Sequence, residues 1–207
     1  VTDLLLIRHG EATHNREGRW EGWGATPLTE TGVAQARAVG HLLAGWSPSI
    51  DLLYTSPILR ALQTTEQISC HTGLSPVPFD GLREIDFGEV SGLTMDGFRD
   101  KMPALFAQWR DRSDLTFHYP GGEQRYAFFR RVGDALDEIV ARHPDKRIAA
   151  VAHGGTIRAG LAHLLPGTMS DWWTYDLDNG SITHVRVTTE SSELVALNDT
   201  RHVEGGS

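Results

Sequence analysis

The 207-residue sequence has one cysteine, Cys70, and only two lysines, Lys101 and Lys146. A single thiol excludes an intrachain disulfide and a thiolate metal cluster within one chain. It fits a reducing, cytoplasmic compartment. No run of about 18 apolar residues occurs, so no membrane span is expected. The first apolar stretch opens within three residues of the start, leaving no room for a signal peptide. Neither a His-x-His nor an HExxH-like spacing is present. His9, His14, His118 and Asp86 are the nearest thing to a ligand set, and no metal is expected. Repeats, low-complexity tracts and linkers are also absent, so a single domain over 1–207 is expected. Basic residues number 19 against 27 acidic ones, a net charge of −8. That balance argues against a nucleic-acid partner. It leaves room for a small anionic substrate, because a local arginine cluster can sit in an acidic protein.

What is present begins with Leu4-Leu5-Leu6-Ile7-Arg8-His9-Gly10-Glu11. Four apolar residues without alternation read as a strand buried on both faces. Arg8 and His9 stand where it leaves the sheet, at the carboxyl end where open parallel sheets bind ligands. Ile148 to Ala152 repeats the pattern and is followed by His153-Gly154-Gly155. If the two strands are parallel neighbours, both imidazoles face one pocket.

Between them the chain alternates helix and strand, which implies right-handed crossovers and a three-layer α/β/α sandwich. Residues 11–26 read as a loop rich in glycine and tryptophan beside Arg8 and His9. Asn15 is its best candidate for donating to a phosphoryl oxygen, and Glu21 and Gly22 are further candidate substrate contacts. Thr29 caps a helix with Val33, Ala36, Gly40 and Leu43 on one face. Asp51 to Thr55 is a strand. Ser56-Pro57 opens a helix, with Ser as cap and Pro in the first turn, which puts Arg60 at the positive end where an anion would bind. Gly73 ends that helix, and a short strand follows at Val77 to Phe79. Glu84, Asp86 and Glu89 then lie close together. Residues 95–112 read as one or two short helices broken at Pro103. Glu123 to Arg142 reads as a long amphipathic helix whose stripe (Phe128, Val132, Leu136, Ile139, Val140) is packing. Thr156 to Leu165 is a helix, Ser181 to Thr189 and Glu193 to Leu197 are closing strands, and 201–207 is a frayed tail. His14, His41, His71, His143 and His163 read as structural imidazoles.

Six segments in order resemble the histidine phosphatase superfamily, which includes the cofactor-dependent phosphoglycerate mutases. They are Arg8-His9-Gly10-Glu11, Pro27 to Gly32, Ser56 to Ala61, Arg83 to Gly88, Pro120 to Glu123, and His153-Gly154. The resemblance implies a phosphoglycerate mutase-like fold, with a mostly parallel sheet and one antiparallel edge strand. It implies that 92–120 caps the sheet's carboxyl edge. It also implies a phosphomonoesterase without a cofactor, in which His9 attacks phosphorus to form a phosphohistidine. Arg8, Arg60 and His153 would hold the phosphoryl oxygens, and Glu84 would carry protons. Gly154, lacking a side chain, would leave room for the phosphate. The expected partner is a small phosphate monoester, and a homodimer stays open.

Two departures stand out: Ala12 lies where the family commonly has Ser or Thr, with Thr13 next, and Gln124 lies where Ser is frequent. Three functional readings remain: phosphatase, phosphoglycerate mutase, and catalytically inert phospho-ligand binder. The full set Arg8, His9, Arg60, Glu84 and His153 argues against the inert binder. The short segment after Glu84, with Lys101 its sole lysine, favours the phosphatase over the mutase. So does the ending Leu197 to His202, which resembles α-ribazole phosphatases and broad-specificity enzymes.

Overall fold

The computed structural model describes residues 1–165, 167 and 169–204. Six strands form one sheet: β1 (Thr2–Arg8), β2 (Leu52–Thr55), β3 (Pro76–Pro78), β4 (Arg147–Ala152), β5 (Ile182–Val187) and β6 (Ser192–Asp199), in the spatial order β3-β2-β4-β1-β5-β6. The first four are mutually parallel. β5 runs antiparallel to β1, and β6 pairs antiparallel with β5 at the edge. The reversed strand is therefore one place in from the edge.

The unalternating sequence of β1 has a direct cause. Leu4 and Leu6 belong to one hydrophobic core, Leu5 and Ile7 to another on the opposite face. α2 (Glu30–Ala44) and α3 (Leu59–Thr72) cover the second core through Val39, Leu43, Ala61 and Ile68. α6 (Arg125–Arg142) and α7 (Gly154–Leu164) cover the first through Phe128, Val132, Leu136, Ile157 and Leu161. The layers are those expected. On α2 the buried stripe includes Val39, and Val33 is only half-buried.

Several boundaries differ from expectation. The 11–26 loop contains a short helix, α1 (Thr13–Arg16). α3 starts at Leu59 with Ile58 as its cap residue, so Ser56 is not the cap. The Ser-Pro pair makes the bend out of β2, and the buried Ser56 hydroxyl goes to His153 instead. α6 starts at Arg125 because Glu123 turns aside to pair with Arg131. α7 starts at Gly154, with His153 itself at the cap position. Two short helices, α4 (Met95–Lys101) and α5 (Pro103–Trp109), meet at Pro103. Arg201–Glu204 forms a short helix, α8, where a frayed tail was expected; 205–207 lie outside the described residues. No helix among the described residues is long and apolar enough to cross a membrane.

Candidate active site

β1 and β4 pair in parallel with Arg8 opposite Ala152, so the residues that follow them leave the sheet side by side. His9 and His153 do so, with ring centroids 5.1 Å apart. Both are buried. His9 Nδ1 donates to the Gly10 carbonyl at 2.7 Å, which fixes the tautomer and leaves the lone pair on Nε2. Arg60 Nε donates to that Nε2 at 3.1 Å. Burial, then Arg60 and Arg8, hold the His9 pKa well below the ordinary histidine range. Burial and then Arg60 do the same to His153. Both rings are neutral at physiological pH. His153 Nε2 meets Ser56 Oγ at 2.8 Å, while its buried Nδ1 has no partner among the described residues.

Arg8 is similarly half-used. One terminal nitrogen donates to the Leu177 carbonyl, and its buried Nε has no partner among the described residues. Burial and the nearby Arg158 lower its pKa to about 10, with Glu84 pulling the other way. Arg60, 1% exposed, is held by the 21–24 loop. Its Nη2 donates to the Gly22 carbonyl at 2.9 Å and the Glu21 carbonyl at 3.1 Å, and its Nη1 lies 3.3 Å from Glu21 Oε2. Gly22 is confined by its neighbours, since a Cβ there would come within 2.6 Å of the Ile85 carbonyl.

Of the three clustered carboxylates only Glu84 lines the cavity. Asp86 accepts from the Gly88 amide, and Glu89 is exposed. Glu84 Oε1 accepts from the Ile85 amide (2.9 Å) and Oε2 from the Gly155 amide (3.0 Å). A Cβ on Gly155 would come within 2.3 Å of Oε1, whereas one on Gly154 would meet nothing closer than Arg8 Nε at 3.5 Å. A side chain at Gly155 would therefore displace the Glu84 carboxylate, a constraint the sequence did not single out. Arg131 braces this segment from behind. It pairs with both oxygens of Glu123 at 2.9 and 2.8 Å and donates to the carbonyls of Gly81, Arg83 and Glu84.

Arg8, His9, Arg60, Glu84, Gly154 and Gly155 line a cavity of roughly 390 Å³, whereas His153 and Gly22 are not among its lining residues. His14, read as structural, lies on its wall, with Nδ1 3.2 Å from Glu21 Oε2 and Nε2 3.0 Å from the Asn15 amide nitrogen. Burial, then Arg60 and Arg8, push its pKa down to about 3. Asn15 lines the cavity too; its Oδ1 accepts from the Ala12 amide, and its amide nitrogen, the expected donor, is the one that meets His14. Glu21 lines it with a carboxylate directed at Arg60. Ala12 is fully buried and Thr13 does not line the cavity, so the hydroxyl lost at Ala12 is not replaced by its neighbour. Gln124 is also outside, donating to the Thr116 carbonyl. His118 is exposed and bonds to the Gly122 carbonyl. Among the described residues no three His, Cys, Asp or Glu side chains group as a metal would need. Met95, Trp109, Arg112 and Tyr119 bring the 92–120 segment to the wall, with Trp20, Arg158 and Trp172 beside them. Nothing local in the sequence marks Arg112 or Arg158 as pocket residues.

Residues 4–200 match the model of the histidine phosphatase superfamily (branch 1). Phosphoserine phosphatase 1 of Hydrogenobacter thermophilus is 29% identical, over 98% of this chain and 95% of that protein. A 2,3-bisphosphoglycerate-dependent phosphoglycerate mutase of Methylobacterium radiotolerans is 34% identical over 79% of each. The solved structure of a putative α-ribazole-5′-phosphate phosphatase of Escherichia coli superposes with a TM-score of 0.87 at 26% identity, covering 97% of both chains. With its two strand-end histidines, its pair of arginines and a family match over nearly the whole length, the chain belongs to the histidine phosphatase superfamily, as one of its phosphatases.

Proposed function

We propose that this protein hydrolyses a small phosphate monoester through a phosphohistidine on His9, without a metal ion, in the cytoplasm. One observation carries the reading: two buried nitrogens without partners among the described residues, Arg8 Nε and His153 Nδ1, flank a neutral His9 whose lone pair meets Arg60. Buried polar atoms are rarely left unpaired. A phosphoryl group seated between them would supply the missing acceptors and draw Arg60 from His9 Nε2 toward its own oxygens.

Arginine forks replace a metal in holding the dianion. His9 Nε2 attacks phosphorus, the P–O bond to the alcohol breaks, and Glu84 gives the leaving alkoxide a proton. Water then gives a proton to Glu84 and attacks phosphorus. The P–N bond breaks, and His9 returns with inorganic phosphate as product. Glu84 meets the Gly155 amide at the start of α7, which ties proton transfer to the phosphate-facing helix end. Residues 92–120 act as the cap over this site.

Phosphoglycerate mutase is the second reading, because one relative of 34% identity carries that name. The test is a panel of phosphate monoesters with single-turnover trapping. His9→Ala should abolish the acid-labile phosphoenzyme, and normal trapping in that variant sinks the nucleophile assignment. Interconversion of 3- and 2-phosphoglycerate, stimulated by 2,3-bisphosphoglycerate, would identify a mutase instead.

A further inference from the structure

Glu21 puts a carboxylate into the wall of a site built for anions. Two glutamates line the cavity. Glu84 has a task in the proposed reaction, and Glu21 has none. The Glu21 side chain is only 16% exposed and is fixed at both oxygens. Thr26 donates to Oε1, and a side chain at Gly24 would collide with that same oxygen. Oε2 lies 3.3 Å from Arg60 Nη1 and 3.2 Å from His14 Nδ1.

Holding Arg60 does not require this charge. The backbone carbonyls of Gly22, Glu21 and Gly24 already accept from its terminal nitrogens, at 2.9, 3.1 and 3.4 Å. A glutamine oxygen could accept from Nη1 too. Nor does His14 neutralise Glu21. Burial, then Arg60 and Arg8, push its pKa down to about 3, so the ring is uncharged at neutral pH. Its buried Nδ1 makes no in-line hydrogen bond among the described residues. Oε2 is therefore engaged by one long hydrogen bond from Arg60 and keeps acceptor capacity toward the cavity. What arrives there is another anion. Like charges repel strongly in a partly desolvated wall, unless a proton lies between them.

Resting on the phosphatase reading, we infer that Glu21 accepts a hydrogen bond from a protonated phosphoryl oxygen, so that the site takes its phosphate monoester together with one proton. The second proton of a phosphate monoester leaves with a pKa of about 6, so the monoanion is still at hand near neutral pH. The charged and titratable groups that face Glu21 directly are His14 of α1 and Arg60 of α3. Arg8, His9, Arg19, Glu84, Arg112 and Arg158 stand elsewhere on the cavity wall. The two imidazoles are neutral and the guanidiniums keep their protons, which leaves the phosphoryl group as the donor. The proton stays with that group through both steps. The ester enters as ROPO₃H⁻, the phosphohistidine carries the same O–H, and the product leaves as H₂PO₄⁻. Glu84 handles the protons of the alcohol and of water separately. The consequence is selectivity: a tetrahedral dianion that cannot carry a proton meets the same arginines and is turned away by the carboxylate.

The test is calorimetric titration of inorganic phosphate and of sulfate at fixed ionic strength. Both are tetrahedral oxyanions, and only phosphate carries a proton near neutral pH. At pH 7 the wild type should prefer phosphate by about tenfold or more in Kd, the scale of a hydrogen bond to a charged group. At pH 8, where free phosphate is mostly the dianion, its binding should take up about one proton, measured by repeating the titration in buffers of different ionisation enthalpy. Glu21→Gln, whose amide can donate to a bare oxygen, should tighten sulfate more than phosphate, bring the ratio toward one and abolish the uptake. A wild-type ratio near one, no proton uptake, or uptake that survives in Glu21→Gln overturns the inference; the first two results are read without the variant. Hydrolysis of p-nitrophenyl phosphate decides the phosphatase reading separately. Turnover without a preference for phosphate over sulfate removes the role of Glu21 and leaves that reading standing, and the preference with proton uptake but no turnover does the reverse.

Discussion

Glu21→Gln should make the enzyme more sensitive to its own product. Glu21 Oε2 lies 3.3 Å from Arg60 Nη1, in a site otherwise built to attract a dianion. A phosphate that approaches Arg60 must also approach this carboxylate. For unit charges about 6 Å apart the repulsion is about 0.7 kcal/mol at the dielectric of water and about 2.8 kcal/mol at an effective value of about 20, for each unit of phosphate charge. Glutamine removes the charge and keeps an oxygen that can accept from Arg60, so the tether weakens by about 1 kcal/mol. The electrostatic gain exceeds this loss. Inorganic phosphate should therefore inhibit the variant with a Ki about tenfold lower. The assay is hydrolysis of p-nitrophenyl phosphate at increasing phosphate concentration and fixed ionic strength, with vanadate as a second anion. A Ki that is unchanged or higher would show that Glu21 supports Arg60 without opposing the anion, and the reasoning would fail.

Gly155→Ala should displace Glu84 and slow alkyl phosphate hydrolysis by about 10²–10⁴, the usual worth of general acid–base help; Gly154→Ala should be milder, and equal losses in steady-state rates would refute the distinction. Dialysis against EDTA should leave the rate unchanged, and a loss restored by Mg²⁺, Mn²⁺ or Zn²⁺ would end the metal-free mechanism. His14 has a folded pKa of about 3, against roughly 6.5 unfolded. Between those values the unfolded chain binds a proton that the folded one does not, so stability is lost as pH falls through that window. In His14→Gln the unfolding free energy should therefore fall less steeply between pH 6 and 4, by about 1.4 kcal/mol per pH unit in denaturant titrations; parallel slopes would refute it.

The central sheet and the two histidines were legible because their signals are local and redundant. Leu4 to Ile7 could be read as doubly buried, and once β1 and β4 are parallel neighbours His9 and His153 have to meet. Glu84 could be singled out by family resemblance, and the cavity wall separates it from Asp86 and Glu89. Ser56 was misread because Ser-Pro favours a helix start, whereas burial beside His153 gives the hydroxyl a better partner. His14 carries no local sign of the site; its place depends on the 11–26 loop folding back so that Glu21 reaches it. Arg112, Arg125, Arg131 and Arg158 were beyond reach for the same reason. Their partners are backbone carbonyls, the Glu123 carboxylate and an indole face that only the folded chain assembles, and an arginine bound for such a place looks like any other.

The contact between Arg60 and His9 Nε2 bears on which electrophiles the protein can react with at all. An imidazole whose lone pair is already engaged by a fixed cation is a poor nucleophile toward molecules that merely collide with it. An incoming group has to carry enough negative charge to compete for the guanidinium before the nitrogen becomes available. A phosphate dianion does this by the same oxygens that surround the atom to be attacked. A neutral phosphotriester or carboxylic ester, however reactive, brings no charge with which to draw the guanidinium away, and it meets an imidazole that is already occupied.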